Sequence, residues 1–469
     1  MNPSTALLLF AVGIAGLFYL DREWELNVTR ALWLPTLWLL LNGSKPLSFW
    51  LGVGPANPTP QQVMEGNPLD AAVLGLLLVA ALGVVWCRRA QVGPALRLAW
   101  PVVLYFGYCL VSCAWSIYPA ISAKRWVKSL GDVAMALIVA TEPDIAGALR
   151  KLVSRCGFVL LPASVLLIKY YPTLGRAFSA WTGMPENDGV GATKNMLGVI
   201  AFVLTLGALW NVLCLLRDPA RLYRRRHLIA QLTLLAFGID VLTVSHSSTS
   251  GVSFALGAVL LVIAGRKMFT LQPRAIHAVV LAILICGGLA FWLGGEGAVA
   301  HDLGRKSNLT GRTEIWAGVL QVAARQPVLG AGFESFWTGQ NIRRVWSHLP
   351  FGETVNESHD GYIEVYAQLG LVGLAIVAWL LLTAYRRTVA AYAADTETGR
   401  LLVAYVATLL VYNITEAGFR MLDPAWLFLL LAFICAAAVI ARKGAESDAG
   451  RPGGPGLRAQ IRTVQALRA

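Results

Sequence analysis

Charge is scarce in this chain. Charged residues make up 14% of it and hydrophobic residues 57%, where a soluble domain carries about 25% charged residues. So much apolar side chain needs a solvent other than water. The motifs of metal and nucleotide chemistry are missing as well: there is no HExxH, no Walker sequence and no Asp-x-Asp pair. A reaction run without them needs a donor that arrives already activated. The seven cysteines form no CxxC pair, and all fall in or beside apolar runs. They read as buried, inert thiols with no disulfide or metal. No internal repeat is visible, which argues against a transporter built from inverted halves. The first apolar run, Thr5 to Leu20, lacks a basic segment before it and reads as a retained span, not a cleaved leader.

What is present is a succession of apolar runs long enough to cross a hydrocarbon core of about 30 Å as helices. They fall at roughly 4–20, 29–42, 70–87, 98–116, 125–141, 151–170, 192–216, 227–244, 248–264, 276–294, 361–385, 400–414 and 424–441. The fold class is an all-α polytopic membrane protein of about 12–13 spans with a long outer loop containing an amphipathic helix. The net charge of +13 points to a membrane, with no nucleic acid involved, because the basic residues sit in short connections between spans. Arg88 and Arg89, Arg221 to Arg226, Arg266 to Arg274, Arg386 and Arg387, and Arg442 and Lys443 all lie on one side if the C-terminus is cytoplasmic. The organisation is then a bundle over 1–294, an outer loop over 295–360, further spans over 361–443, and a cytoplasmic tail over 444–469 expected to be disordered.

The outer loop carries the chemistry. Residues 312–325 place Ile315, Trp316, Val319, Leu320 and Ala323 at helical spacing, predicting an apolar stripe on an amphipathic helix. Arg312 falls in line with that stripe and should point at whatever the stripe packs on. Pro327 ends the helix before a Gly330-Ala-Gly332 turn. His359 stands at the mouth of the next span beside Asp360 and Glu364. A histidine against carboxylates gains proton affinity and suits a general base. Lys124, Arg125 and Lys128 open one span and Lys194-Asn195 another. With Arg312 they predict a cationic pocket for phosphate. The polar turn Ser245-His246-Ser247 faces the same side, so that His246 is a candidate lining residue. Asp132 and Asp240 lie within spans, where charge must be paired or turned inward.

Taken in order, several segments resemble the O-antigen ligase and O-antigen polymerase superfamily. They are Gly311-Arg312-Thr-Glu-Ile-Trp316, Pro327-Val-Leu-Gly-Ala-Gly-Phe333, Ser358-His359-Asp360-Gly361-Tyr362 and Leu369-Gly370-Leu-Val-Gly373. The Ala114-Trp115-Ser116 and Lys194-Asn195 segments are similar to it too. The resemblance, ligase favoured, implies a multi-pass protein of the bacterial inner membrane with its site facing the periplasm. It implies an undecaprenyl-pyrophosphate-linked glycan as donor and lipid A-core as acceptor, among membrane lipids, with no cofactor and no metal. Arg312 would bind pyrophosphate and His359 would act as base; Lys194, Asn195, Arg125, Lys128, His246 and Tyr362 would bind substrate. The family often has an arginine in the turn that here reads Ser245-His246-Ser247, which leaves the second phosphate ligand open.

Overall fold

The computed structural model describes residues 2–22, 27–53, 65–178, 183–219, 222–295, 312–349 and 355–449. Nearly all regular structure among them is helical. The longer helices are α1 (Pro3–Leu20), α2 (Trp33–Asn42), α3 (Pro68–Cys87), α4 (Arg89–Leu98), α5 (Trp100–Ser112), α6 (Pro119–Ala140), α7 (Ile145–Tyr170) and α8 (Lys194–Arg217). They continue with α9 (Arg224–Val244), α10 (Ser248–Ala264), α11 (Ile276–Gly295), α12 (Arg312–Ala323), α13 (Gly339–His348), α14 (Gly361–Ala394), α15 (Thr396–Tyr412) and α16 (Pro424–Ala449). A two-stranded antiparallel ribbon pairs Arg176–Phe178 with Pro185–Asn187.

Each predicted span coincides with a helix. By length and composition seven of these helices can cross a membrane, or eight if the bent pair α4 and α5, turned by 88°, is counted as one. The rest fall short for plain reasons. The α2 helix has 10 residues, α10 and α15 have 17 each, and α6 carries Lys124, Arg125, Lys128 and Asp132. The predicted tail is partly replaced by structure, since α16 continues past Lys443 to Ala449; the remainder lies outside the described residues. Two cysteines also depart from expectation: Cys87 and Cys286 are exposed, though all seven are free thiols.

Local chemistry sets the helix starts. Asn2 and Asn67 accept from backbone N–H groups ahead of Pro3 and Pro68. Asp144, Thr193 and Asp395 cap α7, α8 and α15 in the same way. These caps satisfy donors that no helix can satisfy internally. Burial then sorts the helices. The hydrophobic windows of α8 and α16 are 83% and 89% buried, those of α1 and α3 only 11%. The first pair forms the centre, and the outer faces of the second pair are left for lipid.

Chain direction gives the bundle two ends. At one, Arg88 meets Glu142 at 2.9 Å, and Arg442 donates to the carbonyls of Ala140, Glu142 and Pro143. Arg217 meets Glu397 there at 3.0 Å. The basic connections thus gather together, as the charge pattern predicts. Of the two acids within spans, Asp132 is buried and accepts from Trp38 Nε1 at 2.8 Å and Leu422 N at 3.0 Å. Asp240 is partly exposed and lies 3.9 Å from Lys169.

The opposite end is organised by a break in α14. Gly370 adopts φ 65°, ψ −165°, a region open in practice to glycine alone. The break frees carbonyls that an apolar bundle cannot leave unpaired. The Pro327–Gly332 turn satisfies them: Ala331 N donates to Ala367 O at 3.1 Å and Gly332 N to Gln368 O at 2.8 Å. In return Leu371 N donates to Pro327 O at 2.9 Å. The Tyr108 hydroxyl donates to Leu369 O at 3.1 Å. Contact is so close that a Cβ on Gly370 would lie 2.2 Å from Val328 O. Gly370→Ala is therefore expected to destabilise the folded protein by about 1–3 kcal/mol from backbone strain alone, with the clash added. Thermal unfolding in detergent checks this against Gly75→Ala, where a Cβ meets open space; equal midpoints for the two variants would contradict it.

Candidate functional site

The residues of the outer loop meet the starts of α8 and α14 and the α15–α16 connection at that end of the bundle. The amphipathic helix α12 lies on the span bundle and on α13. Its buried face consists of Ile315, Gly318, Val319, Val322 and Ala323. This differs from the predicted stripe, because Leu320 is exposed and Trp316 only partly buried. The indole of Trp316 instead donates to Ser358 O at 2.9 Å, tying α12 to the histidine segment.

Arg312, in the first turn of α12, points inward as its register requires. Its Nη2 lies 2.6 Å from Glu416 Oε1, and its Nη1 donates to Thr415 O. Glu416 is the buried hub. It also accepts from Asn195 Nδ2 at 3.0 Å and faces His359 Nδ1 at 3.5 Å. His359 Nδ1 faces Glu357 Oε1 at 3.1 Å. Glu357 in turn holds Arg420 Nη1 at 3.0 Å, and Arg420 Nε lies 3.8 Å from Glu364. The result is an alternating network of arginines, glutamates and one histidine. Because Nδ1 faces the carboxylates, Nε2 is the ring nitrogen left for a reacting group.

Proton affinities follow from these neighbours. Burial alone would lower the His359 pKa, but Glu357 and Glu416 outweigh it and hold it above its ordinary value. Burial would raise Glu416, yet His359 and Arg312 keep it below the usual carboxylate range. Each group thus favours the charged form of the other.

Asp360 and Glu364, the carboxylates that follow His359 in sequence, are engaged elsewhere. Asp360 caps α14, accepting from the N–H groups of Tyr362 and Ile363, both at 2.8 Å. Glu364 is buried and accepts from Trp337 Nε1 at 2.7 Å, Gln368 Nε2 at 2.8 Å and Ser358 N at 3.0 Å. His359 itself has φ 51°, in the left-handed region.

The expected cationic pocket is only partly assembled. Arg312 and Asn195 join the network. Lys194 pairs with Glu186 at 2.6 Å, and the Arg125 guanidinium donates to Glu334 O. Lys128 is half-buried beside the 65–70 segment. His246 is exposed; just past its turn, the Thr249 hydroxyl lies 2.7 Å from that of Thr415. Tyr362 is structural, donating its hydroxyl to Leu410 O at 3.0 Å and packing edge-on against Phe419.

Sequence reasoning missed Glu416 and Arg420, both in the α15–α16 connection, and the role of Glu357. A signal existed. Arg420 is an arginine in a short connection on the side where the charge rule expects few. Glu357, His359 and Glu416 also offer ligand atoms within 4.8 Å of one another, a possible cation site. Arg312 and Arg420 occupy the other oxygen of each carboxylate, Glu416 Oε1 and Glu357 Oε2, while Glu416 Oε2 and Glu357 Oε1 face His359.

An all-α membrane bundle with a buried Arg–Glu–His network at one end is the class of protein that fold and site define. Residues 231–378 match the family model described as O-antigen ligase; this segment contains Arg312 and His359. The chain is also similar to the exopolysaccharide production protein ExoQ of Rhizobium meliloti (strain 1021), 26% identical over 301 residues. That match covers 60% of this chain and 63% of the relative's length. The two findings support membership of the O-antigen ligase superfamily.

Removing the hub should loosen the network. Glu416→Ala leaves Arg312 without its buried carboxylate and is expected to cost about 3–5 kcal/mol, read as a lower unfolding midpoint. Glu416→Gln takes away one of the charges that raise His359, and histidine NMR titration should show its pKa falling. An unchanged titration would remove Glu416 from the account.

Proposed function

We propose that the protein transfers a glycan from a polyprenyl pyrophosphate carrier to a sugar hydroxyl, on the periplasmic side of a bacterial inner membrane. The observation that carries this reading is the joining of Arg312 and His359 through Glu416, within the segment that matches the ligase family. Pyrophosphate is already a good leaving group. Catalysis then needs fixed cations for the departing charge and a base for the acceptor. His359 Nε2 takes the acceptor hydroxyl proton; the new glycosidic C–O bond forms as the bond from sugar to pyrophosphate breaks. Arg312 and Arg420 receive the lipid pyrophosphate, exchanging part of their pairing with Glu416 and Glu357 for its oxygens. Arg420 fills the place of the missing second arginine. The apolar bundle accommodates the polyprenyl tail, and no metal takes part.

The acceptor distinguishes two readings. Transfer to lipid A-core makes the protein an O-antigen ligase, in keeping with the family description. The exopolysaccharide relative favours transfer to another carrier-linked glycan, a polymerase. Purified protein given polyprenyl-linked donor, with and without lipid A-core, separates them: ligation needs the core, polymerisation lengthens the carrier-linked glycan without it.

In that assay His359→Ala and Arg312→Ala should each lower transfer by at least about 100-fold, in line with loss of a general base or a fixed charge donor. Full activity in either variant rejects the site. Chelation by EDTA should leave the rate unchanged; its loss would turn Glu357, His359 and Glu416 into a metal site. The base must be neutral at Nε2, so the rate should rise with pH through the His359 pKa. That midpoint lies above the ordinary histidine value, because the neighbouring carboxylates hold the proton. Glu357→Gln removes one of them and should move the midpoint to lower pH.

A further inference from the structure

A cleft of about 490 Å³ opens beside the network, between the α5–α6 connection, the far end of α12 and α13. Its walls combine two kinds of side chain. Trp115, Tyr118 and Phe336 provide aromatic surface, and Arg325, Arg343 and Arg344 provide positive charge. Among the described residues no carboxylate lines it. Among the described residues Arg343 and Arg344 bond within their own helix, to Gly339 O at 3.3 Å and Gln340 Oε1 at 3.0 Å. The Trp115 indole N–H is buried and has no hydrogen-bond partner among the described residues. An orphaned donor of this kind costs free energy unless a ligand or water accepts from it.

We infer that this cleft binds an anionic saccharide, a stretch of glycan carrying carboxylate or phosphate groups, as a subsite separate from the Arg312–His359 network. Aromatic faces suit the apolar faces of sugar rings, and guanidinium groups suit carboxylate or phosphate oxygens in two-point geometry. Position supports the same assignment. Arg312 opens α12 and Arg325 stands just past its end, about 20 Å away by helical rise. A glycan lying along α12 would reach from the network to the cleft. Ala367 of the cleft wall lies one turn beyond Glu364 on α14, which carries Trp337 and Arg420. The saccharide identity of the ligand rests on the glycan-transfer reading; the anionic and aromatic chemistry does not.

The test is binding without turnover. Purified protein in detergent is titrated with tetragalacturonate and with uncharged maltotetraose, by calorimetry. The acidic sugar should bind at least about tenfold more tightly, and more weakly as salt rises. Arg343→Gln/Arg344→Gln should lose at least about tenfold in affinity, and the Arg343→Lys/Arg344→Lys pair should recover part of it. Trp115→Ala should weaken binding by removing an aromatic face, whereas Lys267→Gln, exposed at the opposite end of the bundle, should bind as the parent does. Equal affinity for the two sugars, or an unaltered Gln variant, overturns the proposal. So does a site that takes no oligosaccharide yet binds phosphatidylglycerol vesicles through the same arginines, since it is then a lipid headgroup site. Normal binding in a protein that transfers no glycan would leave the subsite standing and reject the transferase reading instead.

Discussion

One buried carboxylate holds the functional end of this protein together. Glu416 is nearly inaccessible, and a charge in such surroundings persists only with partners. Its partners come from three separate stretches: Asn195 at the start of α8, Arg312 at the start of α12 and His359 ahead of α14. Among the described residues Glu416 is the one side chain that touches all three. Because Glu416 is shared, the groups assigned to charge stabilisation and to proton transfer are held at fixed distances from each other.

A second constraint acts through the backbone. A broken helix inside an apolar bundle leaves carbonyls that must be bonded by protein. The break at Gly370 is bonded by the turn that follows α12, so the loop helix is locked to the span that His359 precedes. The same locking sets the walls of the aromatic and arginine cleft, which includes Ala331 of the turn and Ala367 of the broken helix. The network and the cleft are therefore two consequences of one packing arrangement. Both lie at the end of the bundle away from the basic connections, where a lipid tail in the apolar phase and a charged head outside it can be held together.

The arginines of the network are not free cations in this arrangement. Each is paired with a glutamate, which keeps two guanidinium groups inside an apolar bundle at tolerable cost until an anion competes for them. Lys194 and Arg125, which stand at the same end, also have protein partners: Lys194 pairs with Glu186, and one Arg125 N–H donates to the Glu334 carbonyl.

Much of this was legible in the residues alone. Apolar runs give span positions because backbone groups in lipid must bond within their own helix, so each run had one outcome. Arg312 was readable from its register on α12, and His359 from its place at a span mouth. What the order of residues could not decide was which charges face which. Asp360 and Glu364 follow His359 in sequence, yet the first is taken by the cap of α14 and the second by Trp337 and Gln368. The acids that face it are Glu357, two residues before it, and Glu416, in a connection between two later spans. The physical reason is range. Hydrophobic span formation is local to some twenty residues of chain, whereas a buried ion pair is decided by which helix ends the packing of the whole bundle brings within a few ångströms.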